Sequence, residues 1–100
     1  MKQNQENLDL LRKISKKPQV SQRKLAYELG YSLGKLNYLI NALKKKGLIK
    51  IKNFKNNKNK INYIYILTPK GLSEKTKLTI NFMKRKMKEY EELKNELKKK

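Results

Sequence analysis

The sequence predicts a mainly helical fold with one small β-hairpin: three short helices, the hairpin, then a long C-terminal helix. Three patterns predict it. Apolar residues recur at helical spacing between residues 4 and 46. After Gly47 isoleucine alternates with lysine, and a Tyr/Ile-rich run follows an Asn/Lys-rich turn. From Lys70 onward helix formers continue with no proline.

The first helix is expected from Asn4 to about Lys16, with Leu8, Leu11 and Ile14 three residues apart and Leu10 beside them. Pro18 ends it, because the residue before a proline disfavours the helical region. Ser21 is a suitable N-cap for a second helix, Gln22 to Leu29, whose apolar face is Leu25, Ala26 and Leu29. Gly30 stops that helix as a left-handed cap. Ser32 caps the third helix, which runs to about Lys46 and is closed by Gly47. Its buried stripe is Leu36, Ile40 and Leu43. On a helical wheel Gly34, Lys35, Tyr38, Asn41, Ala42 and Lys45 fall on the other side.

Leu48 to Phe54 reads as a half-buried strand and Ile61 to Leu67 as its partner, joined by asparagines that tolerate positive φ. In the second strand Tyr63 and Tyr65 share one face, and Ile64 and Ile66 share the other. One face is expected in the core and the other against the first or last helix, with base stacking by the tyrosines as a lesser alternative. Thr68 caps the last helix and Pro69 fits its first position. At about 1.5 Å per residue that helix is about 40 Å long, more than the preceding globule can cover. Ile80, Met83, Met87, Tyr90, Lys94 and Leu97 alternate between a and d heptad positions, with Leu93 flanking and Lys94 as an imperfection.

The chain of 100 residues is of single-domain size, and its 27 basic and 8 acidic side chains give a formal charge of +19. Such a charge calls for a polyanionic partner, nucleic acid first and an anionic membrane surface second. Residues 48–67 hold five lysines and no acid, the densest purely positive stretch. Histidine, cysteine and tryptophan are all missing. The usual zinc and haem ligands, thiol nucleophiles and Ser-His-Asp triads are thereby excluded, so no cofactor, no metal and no enzymatic activity are expected. The absence of cysteine is compatible with a reducing compartment. Met1 to Glu6 leads into no apolar run, so no signal peptide is expected, and the longest nearly apolar run, Ile64 to Leu67, is far short of the roughly 20 residues of a membrane span. A cytoplasmic, nucleoid-associated location follows.

Three helices, a hairpin and a terminal helix in that order are the plan of a winged helix-turn-helix with a C-terminal helix for coiled-coil-like dimerisation. The short Gly30-Tyr31 connection suits a helix-turn-helix. The third helix pairs a buried stripe with an exposed polar face, the division a major-groove reading helix needs. Candidate DNA-binding residues are Gln22, Arg23, Ser32, Leu33, Gly34, Lys35, Asn37, Tyr38, Asn41 and Lys45, with Lys55, Asn57, Lys58 and Lys60 on the hairpin tip. Gly34 costs helix stability and faces outward, so close approach of a backbone or phosphate is the simplest reason for it. Tyr38 suits a thymine methyl or a phosphate, and Leu33 either the core or a thymine methyl. Ser32, Gln22 and Arg23 lie at helix N-termini, where a phosphate is well received. The tip suits phosphates or the minor groove. Dimerisation falls to Ile80, Met83, Met87, Tyr90, Leu93 and Leu97. The expected division is 1–67 for DNA and 68–100 for pairing.

Ser21 to Gly30, Leu43 to Ile49 and Leu67-Thr68-Pro69-Lys70-Gly71 resemble MarR-type winged-helix regulators. Tyr31 to Tyr38, Lys52 to Asn56 and Met83 to Glu91 are similar to the small MarR family EPS-associated transcriptional regulators. The resemblance implies a bacterial regulator of surface or exopolysaccharide genes that binds double-stranded DNA. Larger MarR proteins carry extra terminal helices that build the dimer interface and an effector pocket. This chain has one long terminal helix, so a phenolic-ligand pocket is not expected. Two other classes fit the composition: an RNA- or ribosome-associated basic protein, and a coiled-coil protein-interaction module.

Overall fold

A computed structural model of the chain describes residues 2–16, 20–55 and 61–99, with side chains described at 4–16, 20–52 and 63–99. The elements are α1 (Lys2–Lys16), α2 (Gln22–Leu29), α3 (Leu33–Lys45), β1 (Ile49–Lys55), β2 (Ile61–Leu67) and α4 (Pro69–Lys98). The expected order holds, and α2 has the expected bounds. The molecule is 65 Å long and 26 by 20 Å across. α4, at 30 residues, accounts for most of that length, being about 45 Å long at 1.5 Å per residue.

Local chemistry sets the helix ends. Ser21 Oγ accepts from Lys24 N, and Ser32 Oγ accepts from Lys35 N, both at 3.1 Å. Each bond satisfies an amide that its helix leaves unpaired. Gly30 takes φ +73°, which a side chain resists, and lets Tyr31 N donate back to Ala26 O at 2.9 Å.

α1 is the central element, packed against α4, β2 and α2. Leu8, Leu10, Leu11 and Ile14 are all buried, so α1 presents apolar surface over a wide arc. Leu25 and Ala26 of α2 and Leu36, Leu39, Ile40 and Leu43 of α3 complete the helical core. Burial of each such leucine stabilises by about 1.5–3 kcal/mol. Leu39 and Val20 are core residues that the helical stripe and loop reading omitted.

The hairpin is antiparallel, with Ile49 opposite Leu67, Ile51 opposite Tyr65 and Asn53 opposite Tyr63. Its inner face is the tyrosine face. Tyr65 is fully buried and stacks on Tyr63 with ring centroids 6.2 Å apart. Ile64 is half-buried and Ile66 is exposed on the other face. There they line an open apolar groove of about 620 Å³ with Ile14, Leu67, Pro69 and Leu72.

The end of α3, both roots of the hairpin and the start of α4 meet at one point. Thr68 Oγ1 donates to Gly47 O at 2.6 Å and accepts from Gly71 N at 3.0 Å. Thr68 N donates to Leu48 O at 3.0 Å. Gly71 is buried against Leu48, whose carbonyl oxygen occupies the space a Cβ would need. Further along, α4 runs beside α1, burying Leu78 and partly burying Phe82.

Candidate nucleic-acid interface

α2 anchors through Leu25 and Ala26, the Gly30 turn redirects the chain, and α3 anchors through its four buried residues. This leaves one side of α3 open. Gly34, Asn37, Tyr38, Asn41 and Lys45 are all exposed, and Tyr38 keeps 67% of its surface. A Cβ on Gly34 would meet nothing within 4 Å, so no packing demand explains the glycine. Leu33 is exposed at the first turn rather than inserted in the core. Ser32 and Arg23 are exposed at the starts of α3 and α2. The open face can therefore present amides and a phenol to base edges, with cationic and N–H donors at its margins.

Two candidates are engaged with the protein itself. The Lys35 ammonium is paired with Glu6 of α1 and lies over the Tyr31 ring, 4.5 Å from its centroid. A nucleic acid would have to compete with these contacts for the ammonium. Gln22 is half-buried, and its side chain stands beside the buried Tyr65 hydroxyl, which has no well-formed hydrogen bond among the described residues. Burial pushes the Tyr65 phenol above its usual pKa, and the Gln22 amide offsets part of that. Burial raises the Tyr31 phenol as well, and the Asp9 and Glu6 carboxylates add to it.

Asn57, Lys58 and Lys60 lie outside the described residues, as does the side chain of Lys55, whose backbone ends β1. The sequence reading passed over other cations. Lys44, Lys50 and Lys52 are exposed around a groove of about 490 Å³ floored by Ile49 and Ile51. The Ile-Lys-Ile-Lys alternation held that signal, since it turns every second side chain outward. Tyr27, 85% exposed on α2, was also passed over.

A family model described as winged helix-turn-helix DNA-binding matches residues 7–50, from α1 into β1. Solved structures superpose over more of the chain. The PcaV transcriptional regulator of Streptomyces coelicolor, with its natural ligand, gives a TM-score of 0.69 at 17% identity over 78% of this chain and 54% of that one. The fold is a winged helix-turn-helix. MarR of Staphylococcus aureus, solved with salicylate and kanamycin, gives 0.68 at 20% identity over 86% of this winged helix and 56% of its own chain. Lactococcus lactis ZitR in complex with DNA gives 0.63 at 19% identity over 90% and 59%. The winged helix thus spans little more than half the length of these structures. Comparison with curated proteins returned no match.

In winged-helix terms α2 and α3 are the helix-turn-helix and β1–β2 is the wing. Among the described residues no group of three or more acidic, histidine or cysteine side chains is placed to hold a metal. No helix among them is long and apolar enough to cross a membrane.

Proposed function

We propose that this chain is a MarR-type transcriptional regulator that binds double-stranded DNA sequence-specifically as a cytoplasmic homodimer. Its targets are surface or exopolysaccharide genes, as the resemblance of residues 31–38, 52–56 and 83–91 to that small group implies. The carrying observation is the open face of α3, with outward Asn37, Tyr38 and Asn41 beside an unpacked Gly34. A net charge of +19 supports a polyanionic partner.

In this reading α3 enters the major groove. Asn37 and Asn41 suit adenine N6/N7, Tyr38 a thymine methyl or phosphate, and Lys35, once freed from Glu6, guanine O6/N7. Ser32, Arg23, Lys45 and the wing lysines hold phosphates. Gln22 joins them only if it leaves Tyr65. Residues 1–67 carry the DNA contacts and 68–100 the pairing contacts. Binding rather than catalysis is the activity.

The test is a fluorescence-anisotropy titration against duplex DNA from upstream of the protein's own gene cluster. A scrambled duplex and a structured RNA compete at near-physiological salt. The reading expects the native duplex to win by a hundredfold, roughly 3 kcal/mol. Equal binding of all three sinks it in favour of non-specific charge, and preference for the RNA favours an RNA-associated protein. If a dimer neutralises about eight phosphates, log K should fall with log salt at a slope of roughly −7.

A further inference from the structure

Beyond its first turns α4 carries two faces of unlike character. Leu78 and Phe82 turn toward α1, where Lys75 Nζ donates to Ser15 Oγ and Arg85 Nη2 to Gln5 Oε1, both at 3.4 Å. Roughly 130° around the helix, at 3.6 residues per turn, lies a second stripe. Its members Ile80, Met83, Met87, Tyr90 and Leu97 are all exposed. Lys94 sits on the same stripe. Lys84, Arg85, Lys86 and Lys88 form a basic block, and Glu89, Glu91, Glu92 and Glu96 follow, with Lys94 and the terminal lysines among and after them. The block and the glutamates are all exposed, and the ion pair described among them is the local one from Lys86 to Glu89 at 3.4 Å.

We propose that this stripe is covered by the same stripe of a second copy running antiparallel, with the two-fold axis between Met87 and Tyr90. The inference rests on the homodimer reading and adds its orientation. In a parallel pair every residue meets its own copy. Lys94 would then oppose Lys94 inside the seam, two ammonium groups giving up water with no counter-charge. Antiparallel pairing sets Ile80 opposite Leu97, Met83 opposite Lys94 and Met87 opposite Tyr90. The Lys94 stem then lies along a methionine while its ammonium reaches water. Lys84, flanking the seam, comes opposite Glu91 of the second copy, twice by symmetry. A single polar residue in such a seam costs stability and fixes register.

The chain has no cysteine, so an introduced one reports alone. Ile80→Cys and Leu97→Cys, both at exposed sites of the full chain, are oxidised separately and as an equal mixture, with mass measured by sedimentation. Antiparallel pairing expects a dimer in which the mixed 80–97 link exceeds either self-link by about tenfold, since a disulfide needs Cα atoms within about 7 Å. Residue 80 and its own copy would stand about 25 Å apart. Self-links as abundant as the mixed link overturn the orientation and leave the dimer standing. A monomer that forms no link overturns both. Lys94→Glu mixed with the natural chain gives a second reading that needs no cysteine. Antiparallel dimers exchange statistically, because residue 94 meets Met83, whereas enrichment of the mixed dimer means parallel pairing.

Discussion

The Lys35 ammonium is ion-paired with the Glu6 carboxylate, joining the first turn of α3 to α1. The Lys35 side chain is 39% exposed and that of Glu6 17%, so water screens the pair and its stabilisation is at most about 1 kcal/mol. Its larger effect falls on binding, because in the proposed complex a guanine edge must compete with Glu6 for the same cation. Glu6→Gln is expected to tighten binding to the native duplex by up to about fivefold, the equivalent of about 1 kcal/mol. Titrations against the native duplex and one whose G·C pairs are replaced by A·T pairs check this. Equal tightening on both means Lys35 reads no guanine.

Gly34→Ala separates stability from function. The position is open, and alanine is favoured over glycine in a helix by about 1 kcal/mol. Thermal unfolding should therefore move upward. Affinity for duplex DNA should fall, because the new methyl stands on the face proposed to meet the nucleic acid. A variant that is stabilised and binds as well as the parent removes the argument for close approach at this point.

Gly71→Ala should have the opposite effect on stability. The added methyl would overlap the Leu48 carbonyl oxygen, which belongs to the backbone and cannot swing aside. Overpacking of this kind costs roughly 1–3 kcal/mol. For a domain of this size each kcal/mol lowers the midpoint by about 4–8 °C. A calorimetric scan showing no loss would mean that α4 can slide away from the hairpin root.

Tyr65→Phe tests the buried phenol. Its hydroxyl has no well-formed hydrogen bond among the described residues, so its removal should change stability at neutral pH by less than about 1 kcal/mol. The alkaline limb should differ. Burial raises the folded-state pKa of Tyr65 above the ordinary value of 10.0. Its protonated form therefore contributes stability that is complete below the unfolded value. That stability is lost as pH rises through the raised folded value. Denaturant titrations above pH 10 should show the natural chain losing stability faster than the phenylalanine variant. Parallel curves would mean Tyr65 ionises as freely folded as unfolded.

Much of the fold was legible because local chemistry punctuates it. Ser21 and Gly30 fix both ends of α2, and Thr68-Pro69 opens α4. Periodicity alone could not orient β2, whose alternating Tyr and Ile residues give apolar groups on both faces. The three-dimensional fit beneath α1 chose the tyrosines. On α3 the i, i+4, i+7 stripe named Leu36, Ile40 and Leu43 but left out Leu39, which lies within the same buried arc. For the candidate interface, the outward positions of α3 followed from the helical wheel. The engagement of Lys35 with Glu6 and the nearness of Gln22 to Tyr65 did not, because each joins residues far apart in the chain. No packing role for Gly71 was legible, since its close approach to Leu48 depends on where the hairpin root lies.

The junction of Gly47, Leu48, Thr68 and Gly71 has a mechanical consequence. Two hydrogen bonds and one glycine contact bind the segment that follows α3 to the first turn of α4. These contacts tie the direction of α4 to the end of α3, so a tilt of α4 that keeps them intact would carry α3 with it. If two chains pair through α4 as proposed, the angle at which α4 leaves the globule would also set the spacing of their two α3 helices.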